Sequence, residues 1–481
     1  MSLKSHEDVL DVAIIGAGVS GLYSGWRWLI SEQGRGSRVA VFEMSDRVGG
    51  RLLSVAPPEL PEARVELGGM RFISSQTAVS RLVKQLGLAT TPFSVSEPGN
   101  VAYLRGKHLK TSDLAHADRV PYDIPVEDRE GFTEGFTTLA AQRYLSKVLG
   151  QPHVDLKTVD WDKVARDGRY AGQSVRDIAM RYAYNREVAH ESFQFAEDTS
   201  GYDSIFFTWN AADGFPWNIG DYGSSIEYFR LQDGYEALPR TLHQRFEDVG
   251  GTVHFHHRLV SFDEARLPDG SLGMRLRVAR ADTGSEGDGE AHEVWCRRLV
   301  LAMPRRSLEL LEPAGPLLGR EHDHVHRLIR SVEPIPLFKL ALCYQERWWE
   351  PLGIQQGQSV TDLPIRQCYY WPVGQDQGPG VILIYNDGLD LDYWASLRSH
   401  PDRYQPPASL PNAEPSREWL EHPAPALMVE EAHRQLMLMH GLDPAEHALP
   451  CAAAWARKLA RPGSIGARGS GVTVMGSPVL G

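Results

Sequence analysis

An arginine follows a glycine pair and a methionine in the segment ELGGMRF, residues 66–72. The glycines leave the backbone almost uncovered, yet Arg71 brings a permanent charge into an otherwise apolar run. Its planar guanidinium matches the two oxygens of a carboxylate, and burying it is unfavourable unless an anion meets it. The segment therefore indicates an anion-binding residue. The alternative is a structural arginine paired with an internal Asp or Glu.

A glycine-rich turn near the start of the chain has the spacing of a dinucleotide-binding loop. An apolar run at residues 12–15 leads into GAGVSG, residues 16–21, and then come a helical pattern and a second strand that ends in Glu43. In such a βαβ unit the glycines permit a tight turn, the approach of a pyrophosphate and close helix–strand packing. The helix N-terminus faces the phosphates, and Glu43 accepts hydrogen bonds from ribose hydroxyls. We therefore predict FAD or NAD rather than NADP, because an acid repels the 2'-phosphate.

A second glycine pair follows this acid in SDRVGGR, residues 45–51. It suits a second approach to the same pyrophosphate, with Arg51 donating charge-assisted hydrogen bonds; a plain surface turn is the alternative. In this order, the GxGxxG turn, the acid and the RVGGR segment resemble the flavin amine oxidase superfamily, and LGGMR resembles the matching stretch of its L-amino-acid oxidase family. The resemblance implies FAD. Because no cysteine follows Cys451, a non-covalent attachment is expected.

The resemblance also implies candidate catalytic residues. Arg71 matches the family arginine that binds the substrate carboxylate. The segment VTDLPIRQCYYWP, residues 360–372, resembles a family strand whose tyrosine binds the same carboxylate; alternation lets only one of Tyr369 and Tyr370 point inward, and Tyr370 is favoured. Lys339, in IPLFKLALCY, matches the lysine that holds a water near the flavin and assists its reoxidation by oxygen. The alternatives are ordinary sheet aromatics and an edge lysine that blocks aggregation.

The reaction implied by the resemblance is the oxidative deamination of an L-amino acid. Hydride passes from Cα to FAD, the imine hydrolyses to a 2-oxo acid and ammonia, and O2 accepts the electrons to give hydrogen peroxide. The alternatives are an amino-acid 2-monooxygenase, another amine oxidase and a catalytically inactive relative. The resemblance also makes a homodimer an expectation.

Two further segments are expected on the adenine side of the cofactor. The backbone at Leu259, within VHFHHRLVSF, would meet the adenine edge, and the strand LVLAMP, residues 299–304, would run to the cofactor. Because alternate residues of a strand face opposite sides, His254 and His256 share a face, but no carboxylate or cysteine set completes a site with them, so we predict no metal. The expected cofactor-binding residues are Gly16, Gly18, Val19, Ser20, Gly21, Glu43, Arg47, Gly50, Arg51, Gly68, Gly69, Met70, Arg71 and Leu259.

The matching segments predict an α/β fold, with a Rossmann-type FAD-binding domain interleaved with a mixed-sheet substrate domain and a helical insertion. The insertion would roof the active site. Its last part, residues 202–229, is rich in aromatics; most are expected in the core, and some are expected to line a pocket for a large apolar or aromatic side chain. The predicted ranges are 8–65, 232–320 and 438–481 for the FAD domain, 66–115 and 321–437 for the substrate domain, and 116–231 for the helical domain.

Composition narrows the classes of function. A chain of 481 residues with 42% hydrophobic residues can bury a large core, so a small binding module is disfavoured. A net charge of -12 opposes broad contact with a nucleic-acid backbone. No signal-peptide core and no run of about 18 apolar residues is found, so a cytoplasmic protein without a membrane segment is expected. Widely spaced cysteines without a CxxC pair are expected to be buried reduced thiols: Cys296, Cys343, Cys368 and Cys451.

The resemblance stops near Trp455. The family has a late strand end and a helix start that contact the flavin, and residues 456–481 contain neither motif. No Asp or Glu occurs from residue 447 onward, which is unusual for so acidic a chain. We therefore expect a truncation or a shifted reading frame near residue 456, with weakened FAD binding. An unusual but genuine tail is the alternative.

Overall fold

The computed structural model describes residues 9–57, 63–222, 226–281, 291–312, 318–319, 321–332, 335–371, 378–397, 402–405 and 417–458. The strands are β1 (Leu10–Ile15), β2 (Val39–Phe42), β3 (Ser54–Val55), β4 (Val65–Glu66), β5 (Phe72–Ile73), β6 (Thr90–Pro92), β7 (Val101–Leu104), β8 (Lys107–Lys110), β9 (Arg169–Tyr170), β10 (Gln173–Ser174), β11 (Tyr228–Leu231), β12 (Thr252–His254), β13 (His257–Arg266), β14 (Leu272–Arg280), β15 (His292–Leu301), β16 (Leu337–Tyr344), β17 (Gly357–Thr361), β18 (Gln367–Trp371), β19 (Gly380–Asn386) and β20 (Ala452–Lys458).

The α-helices are α1 (Val19–Ile30), α2 (Thr77–Gln85), α3 (Gly131–Glu134), α4 (Phe136–Leu149), α5 (Trp161–Asp167), α6 (Met180–Glu187), α7 (His190–Ser200), α8 (Ser204–Thr208), α9 (Ala211–Tyr222), α10 (Ala237–Asp248), α11 (Arg305–Glu309), α12 (Asp323–Arg330), α13 (Leu391–Ser396), α14 (Arg417–Leu420) and α15 (Ala426–His440). Short 3₁₀ helices span Thr111–Ala115, Val126–Asp128, Val175–Asp177 and Glu350–Leu352. Among the described helices, none has the length and apolar character needed to cross a bilayer.

The first sheet has the strand order β12–β2–β1–β15–β14–β13. β1 pairs in parallel with β2 and β15, and β12 pairs in parallel with β2, which is a Rossmann-type arrangement. β13, β14 and β15 form an antiparallel meander beside it. Helices α1 and α10 pack so closely that a Cβ on Gly25 would lie 2.7 Å from the Phe246 ring. The predicted Rossmann-type FAD-binding fold is confirmed, and two distant parts of the chain build its sheet.

The second sheet has the strand order β20–β16–β19–β18–β17–β7–β8. β17 and β7 are parallel and the other neighbours are antiparallel, so the sheet is mixed, as predicted. Strand alternation gives it two different faces. One face packs on α15 through residues such as Leu340, Tyr370 and Met428. The other face packs on Leu67 and Met70, in the segment that precedes Arg71.

The strand β20 corrects one predicted domain assignment. The range 438–481 was expected in the FAD-binding domain, but β20 pairs with β16 in the second sheet, and residues up to His440 belong to α15. The described residues 452–458 therefore extend the second sheet, and residues 438–440 complete α15. The strand continues past Trp455 to Lys458, and the rest of the expected irregular tail, 459–481, lies outside the described residues. The other domain boundaries stay predictions.

Helices α3 to α9 form the predicted insertion and share their own hydrophobic cluster. Phe206 and Phe215 are buried in it, and Phe207 and Trp217 pack against it. These aromatics therefore have the core position expected for most of the span 202–229; the side chain of Tyr222 lies outside the described residues. The four cysteines predicted to be buried thiols are buried and form no disulfide.

Candidate active site

The first glycine loop has the geometry of a ligand-binding turn. Gly16 adopts a φ of 105° between β1 and α1, a conformation that favours glycine. A Cβ on Gly21 would lie 2.0 Å from the Gly16 carbonyl oxygen, so the close approach of helix and turn requires glycine. A Cβ on Gly18 would meet nothing within 4 Å, which leaves the backbone accessible. α1 begins at Val19 and Ser20, and the first N–H groups of a helix have no partner within it.

The second glycine pair lies against the first loop. The Gly49 N–H donates to the Ala17 carbonyl at 3.0 Å, and a Cβ on Gly50 would lie 3.7 Å from the Gly18 Cα. Two stretches of bare backbone therefore lie side by side, and their predicted approach to one pyrophosphate stays a prediction. Arg51 is largely buried beside it, and burial lowers the pKa of its guanidinium.

Arg47 has a different place from the predicted one. Its guanidinium donates to the carbonyls of its own loop, at 3.0 Å to Val48, 2.9 Å to Gly50 and 3.0 Å to Leu52. It also pairs at 3.5 Å with the buried Glu236. These bonds hold the glycine loop in shape, and the predicted contact of Arg47 with the cofactor stays a prediction.

Glu43 lies buried at the end of β2, next to the first glycine loop. Its carboxylate accepts the N–H of Ala17 at 2.8 Å, the N–H of Ser45 at 2.9 Å and the Ser45 hydroxyl at 2.8 Å. Its carbonyl accepts the N–H of His257 at 2.8 Å, which brings the start of β13 to the same end of the sheet. Leu259, two residues further on, is buried there. The predicted ribose and adenine residues are thus neighbours.

The histidines near Leu259 lie on a turn rather than on one strand. β12 ends at His254, β13 begins at His257, and His256 between them has a φ of 58°. The expectation that His254 and His256 share a strand face is therefore wrong, because the turn interrupts the alternation. His254 instead stacks on Phe42 with ring centroids 5.1 Å apart. Within the described ranges, no three His, Cys, Asp or Glu side chains are grouped as a metal site would require.

The glycine pair before Arg71 packs on the end of the second glycine loop. A Cβ on Gly68 would lie 2.4 Å from the Arg51 carbonyl oxygen, and a Cβ on Gly69 would lie 2.8 Å from the Leu52 side chain. Met70 is buried under the second sheet. The absence of side chains at 68 and 69 therefore lets the chain carry Arg71 directly past the dinucleotide loop.

Lys339 is buried in β16, which has a paired strand on each side, so it is not an edge lysine. Its Nζ donates to the carbonyls of Glu66 at 3.0 Å and Gly68 at 2.6 Å. Burial lowers the pKa of Lys339 to about 7; the charge of Glu66 opposes this shift and that of Arg71 adds to it. The lysine therefore joins the second sheet to the backbone of the glycine pair.

The Glu66 carboxylate is the buried acid of this region. It accepts the Ser54 hydroxyl at 2.7 Å and the Tyr235 N–H at 2.7 Å. Burial raises the pKa of Glu66 to about 8, against the effect of these hydrogen bonds and of Lys339. Because each group shifts the other toward its charged form, Glu66 and Lys339 compensate each other's charge.

Arg71 lies among aromatic rings between the small sheet β5–β11–β6 and β18. Its Cζ is 4.4 Å from the ring centroid of Tyr228, 5.8 Å from that of Phe93 and 6.0 Å from that of Tyr369. Aromatic faces attract a cation, and rings that displace water strengthen its attraction for an anion. The arginine that the sequence singles out is thus half-buried beside the glycine pair and Lys339.

The two candidate tyrosines of β18 lie on opposite faces. Tyr369 is on the Arg71 side, with its hydroxyl 3.0 Å from that of Tyr202. Tyr370 is in the core under α15, where its hydroxyl bonds to Ser359 at 2.7 Å and to His440. The sequence-based preference for Tyr370 is therefore corrected to Tyr369, because Tyr370 is the residue that alternation turns toward α15.

A sequence model of the family described as flavin containing amine oxidoreductase matches residues 20–405. The chain belongs to this family. Two relatives are Achacin of Lissachatina fulica, 26% identical over 415 residues (84% of this chain, 74% of that protein), and L-amino acid oxidase Bs29 of Bothriechis schlegelii, 25% identical over 396 residues (82% and 72%). Among solved structures, cyclohexylamine oxidase from Brevibacterium oxydans shares the fold, with a TM-score of 0.60 at 16% identity over 93% of this chain and 84% of that one.

FAD is the cofactor of this flavin-containing amine oxidoreductase. The geometry fits it, because the backbone at Gly18 faces open space at the start of α1 and because the buried Glu43 lies next to this loop, as expected for a ribose-binding acid. When bound, the flavin accepts a hydride and passes two electrons to an oxidant. Gly18, Gly50, Glu43 and Arg51 are the residues that would hold it, and their contacts with FAD stay predictions.

Sequence reasoning did not assign a role to several residues around Arg71. They are Ser54, Phe93, Arg230 and Tyr385. One signal was available: the segment YFRL, residues 228–231, is a strand in which Tyr228 and Arg230 share a face. Nothing in the sequence indicated that this strand pairs with β5, next to Arg71.

Proposed function

We propose that this flavoenzyme oxidises L-amino acids to 2-oxo acids, ammonia and hydrogen peroxide, with hydride transfer to FAD and O2 as the final oxidant. The observation that carries the proposal is the position of Arg71 among the rings of Tyr228, Phe93 and Tyr369, directly after the glycine pair. A simple amine offers nothing for a guanidinium to bind. An amino acid offers a carboxylate, which a planar fork binds through two parallel hydrogen bonds.

In this proposal the chain orients the substrate. Arg71 binds the α-carboxylate, and the Tyr369 hydroxyl, 3.0 Å from that of Tyr202, donates to the same group. A substrate anchored at this end has its Cα held in one position relative to the glycine pair. Holding reactants in a productive geometry supplies much of an enzyme's rate.

Lys339 is proposed to assist the reoxidation of the reduced flavin by O2. An ammonium donates three hydrogen bonds, and the carbonyls of Glu66 and Gly68 accept two of Lys339's. The third is available for a water molecule beside the flavin. Its nitrogen is held by backbone, so Lys339 is not the base that removes the substrate's ammonium proton, and we assign that step to solvent.

The relatives support the amino-acid substrate. L-amino acid oxidase Bs29 is named for this activity and aligns over 82% of this chain. Cyclohexylamine oxidase is named for an amine, but at 16% identity it is evidence of fold alone.

The test is a comparison of each L-amino acid with the amine left when its α-carboxyl group is removed. The FAD-loaded protein is expected to form peroxide, ammonia and a 2-oxo acid from the amino acid, with a far lower kcat/KM for the amine. Equal kcat/KM values for both would reject the carboxylate anchor. Formation of an amide and carbon dioxide in place of peroxide would instead identify a monooxygenase.

A catalytically inactive relative is the second candidate, and the sequence after Trp455, which lacks the late flavin-contacting motifs, favours it. The flavin absorbance spectrum of the purified protein separates the candidates. A yellow protein that amino acids bleach without oxygen supports the oxidase. A colourless protein that added FAD does not reconstitute supports the inactive relative.

A further inference from the structure

A second arginine lies beside Arg71 on the neighbouring strand. β11 pairs antiparallel with β5, with Tyr228 opposite Ile73 and Phe229 opposite Phe72. The next step of this register brings Arg230 opposite Arg71. Phe229 packs on Phe72, so alternation places Tyr228 and Arg230 together on the face toward Arg71.

Arg230 is half-buried, and the described residues around it offer little that compensates its charge. Its Cζ lies 5.3 Å from the ring centroid of Trp371. Burial lowers the pKa of Arg230, and the charge of Glu66 opposes that shift. In the described part of the chain, no hydrogen bond or ion pair of the Arg230 guanidinium is found. The donors of this fork are therefore left for a ligand or for water.

Among the described residues, one acid is found whose charge acts on Arg230, and Lys339 shares that acid. Glu66 is the acid that acts on both Lys339 and Arg230, but its two oxygens already accept from Ser54 and Tyr235. It compensates Lys339, as their opposed pKa shifts indicate. Arg230 therefore has no acid of its own among the described residues. An amino acid with a neutral side chain brings one carboxylate, which the proposed function assigns to Arg71, so it would leave the Arg230 guanidinium without an anion.

The two arginines lie at successive positions along one aromatic wall. Arg71 is near the ring of Tyr369 and Arg230 is near that of Trp371, two residues further on the same face of β18, a step of roughly 6.6 Å. Phe93 lies between these rings, with its centroid 5.9 Å from each. This arrangement offers an anion site at each end of a short apolar surface.

We propose that Arg230 forms a second anion subsite and that the preferred substrate is an L-amino acid whose short side chain ends in a carboxylate. This inference rests on the proposed function, because it assigns the α-carboxylate to Arg71. The side-chain carboxylate binds Arg230, and the methylene groups between them lie on Phe93. It replaces the expectation of a large apolar or aromatic side chain.

The first experiment compares kcat/KM for L-glutamate and L-aspartate with that for L-glutamine, L-asparagine and L-leucine. The wild-type protein is expected to favour the acids. Arg230→Gln is expected to lower kcat/KM for the acids by about 30-fold or more, since a buried charge pair loses one partner, and to leave the amides within a few-fold. Arg298→Gln is the matched control, because Arg298 also stacks on a tryptophan, Trp28, at 5.4 Å but is exposed on the nucleotide sheet. Arg230→Lys keeps the charge without the fork and is expected to keep part of the preference.

The second experiment needs no turnover. Glutarate, which carries two carboxylates, is expected to raise the thermal midpoint of the FAD-loaded protein more than butyrate, which carries one. This difference is expected to vanish in Arg230→Gln and to persist in Arg298→Gln. Glutarate and butyrate acting alike on the wild-type protein would overturn the second subsite.

The outcomes separate this inference from the proposed function. Oxidation of neutral amino acids in preference to acidic ones, unchanged by Arg230→Gln, overturns the subsite and leaves the amino-acid oxidase standing. Oxidation of amines alone overturns the oxidase proposal, and glutarate binding then decides the subsite by itself. FAD content is measured for every variant. Loss of FAD in Arg230→Gln, together with no glutarate effect in the wild-type protein, assigns Arg230 to the cofactor and overturns the inference.

Discussion

Tyr369 and Tyr370 are neighbours on β18, yet their hydroxyls have opposite surroundings. We call the face of the second sheet that carries Lys339, Tyr369 and Trp371 the cation face, and the face that carries Tyr370 the α15 face. On the α15 face, the Tyr370 hydroxyl bonds to Ser359 and His440, and the His440 Nδ1 is 2.6 Å from the Leu436 carbonyl. The polar groups around the Tyr370 hydroxyl bond to one another. On the cation face, the Arg71 guanidinium and the Lys339 ammonium lie near the rings of Tyr369 and Tyr385.

The difference teaches that burial alone does not identify a functional side chain. Tyr369 and Tyr370 are both almost fully buried, at 1% and 3% exposed. They differ in their partners. The Tyr370 hydroxyl bonds to His440, and the other ring nitrogen of His440 bonds to the Leu436 carbonyl in α15. Substitutions on the α15 face should therefore change stability, and those on the cation face should change activity.

The largest expected effect is that of Arg71→Ala on the cation face. Removing the guanidinium should raise KM for L-amino acids by about 100-fold or more, because the substrate carboxylate loses a charged partner in a site from which water is displaced. Amines without a carboxylate should be affected far less. Arg71→Lys should recover only part of the loss, since a point charge does not reproduce the fork.

Steady-state kinetics checks this prediction, with thermal unfolding as the stability readout. Arg298→Ala, an exposed arginine stacked on Trp28, is the control and should leave KM unchanged. A similar loss for amino acids and amines would show that Arg71 supports the fold rather than the substrate.

Tyr370→Phe should show the opposite pattern. It removes the hydroxyl bonded to Ser359 and His440 and leaves their polar atoms buried, so the free energy of unfolding should fall by about 2 kcal/mol. The kcat/KM of the folded enzyme should stay unchanged. Urea unfolding followed by tryptophan fluorescence measures the first quantity. A strong loss of activity without a loss of stability would assign Tyr370 to the active site and would contradict the proposed difference between the two faces.

A fall in pH should lower the stability of the protein through His440 on the α15 face. Burial lowers the pKa of His440 from 6.5 to about 4, while the Leu436 carbonyl opposes this shift and Lys110 and His108 add to it. Above pH 6.5 both folded and unfolded states hold the imidazole neutral, so it adds no pH dependence. Below pH 6.5 the unfolded state takes up a proton that the folded state does not, and stability falls as the pH falls.

This single group should lower the free energy of unfolding by about 2 kcal/mol between pH 7 and pH 5. Urea unfolding at a series of pH values measures it, and His440→Gln should flatten that part of the profile. Identical slopes in the wild-type protein and in His440→Gln would show that other groups cause the loss.

The sequence sufficed for the nucleotide loop because its members lie close together in the chain. Gly16, Gly18 and Gly21 fall within six residues. Gly16 has a positive φ, a Cβ on Gly21 would clash with the Gly16 carbonyl, and Gly18 leaves its backbone uncovered. Glu43 follows at the end of the next strand. Local spacing therefore carried enough information for the fold and for the cofactor.

The residues of the cation face could be predicted only in part, because their positions depend on strand and helix packing that the sequence does not show. Alternation restricted the inward tyrosine to one of two, but the packing of α15 against β18 decided between them. Arg230 was missed because its neighbour on β5 is brought to it by tertiary pairing. The turn at His256 was missed because its positive φ interrupts a run that otherwise reads as one strand.

Tyr369→Phe should have the smallest effect and gives the sharpest test of the comparison. Its hydroxyl is neutral, and the Tyr202 hydroxyl 3.0 Å away remains in the site. We therefore expect a loss of about 1 kcal/mol in substrate binding, which is a rise in KM of about fivefold, and a smaller fall in the free energy of unfolding than Tyr370→Phe causes. Tyr370→Phe removes the same hydroxyl group one residue along the chain. The two variants therefore differ only in the face of the sheet from which the hydroxyl is lost. If both variants lost stability equally and neither changed KM, the tyrosines of the two faces would both be structural residues. Arg71 alone would then distinguish the cation face.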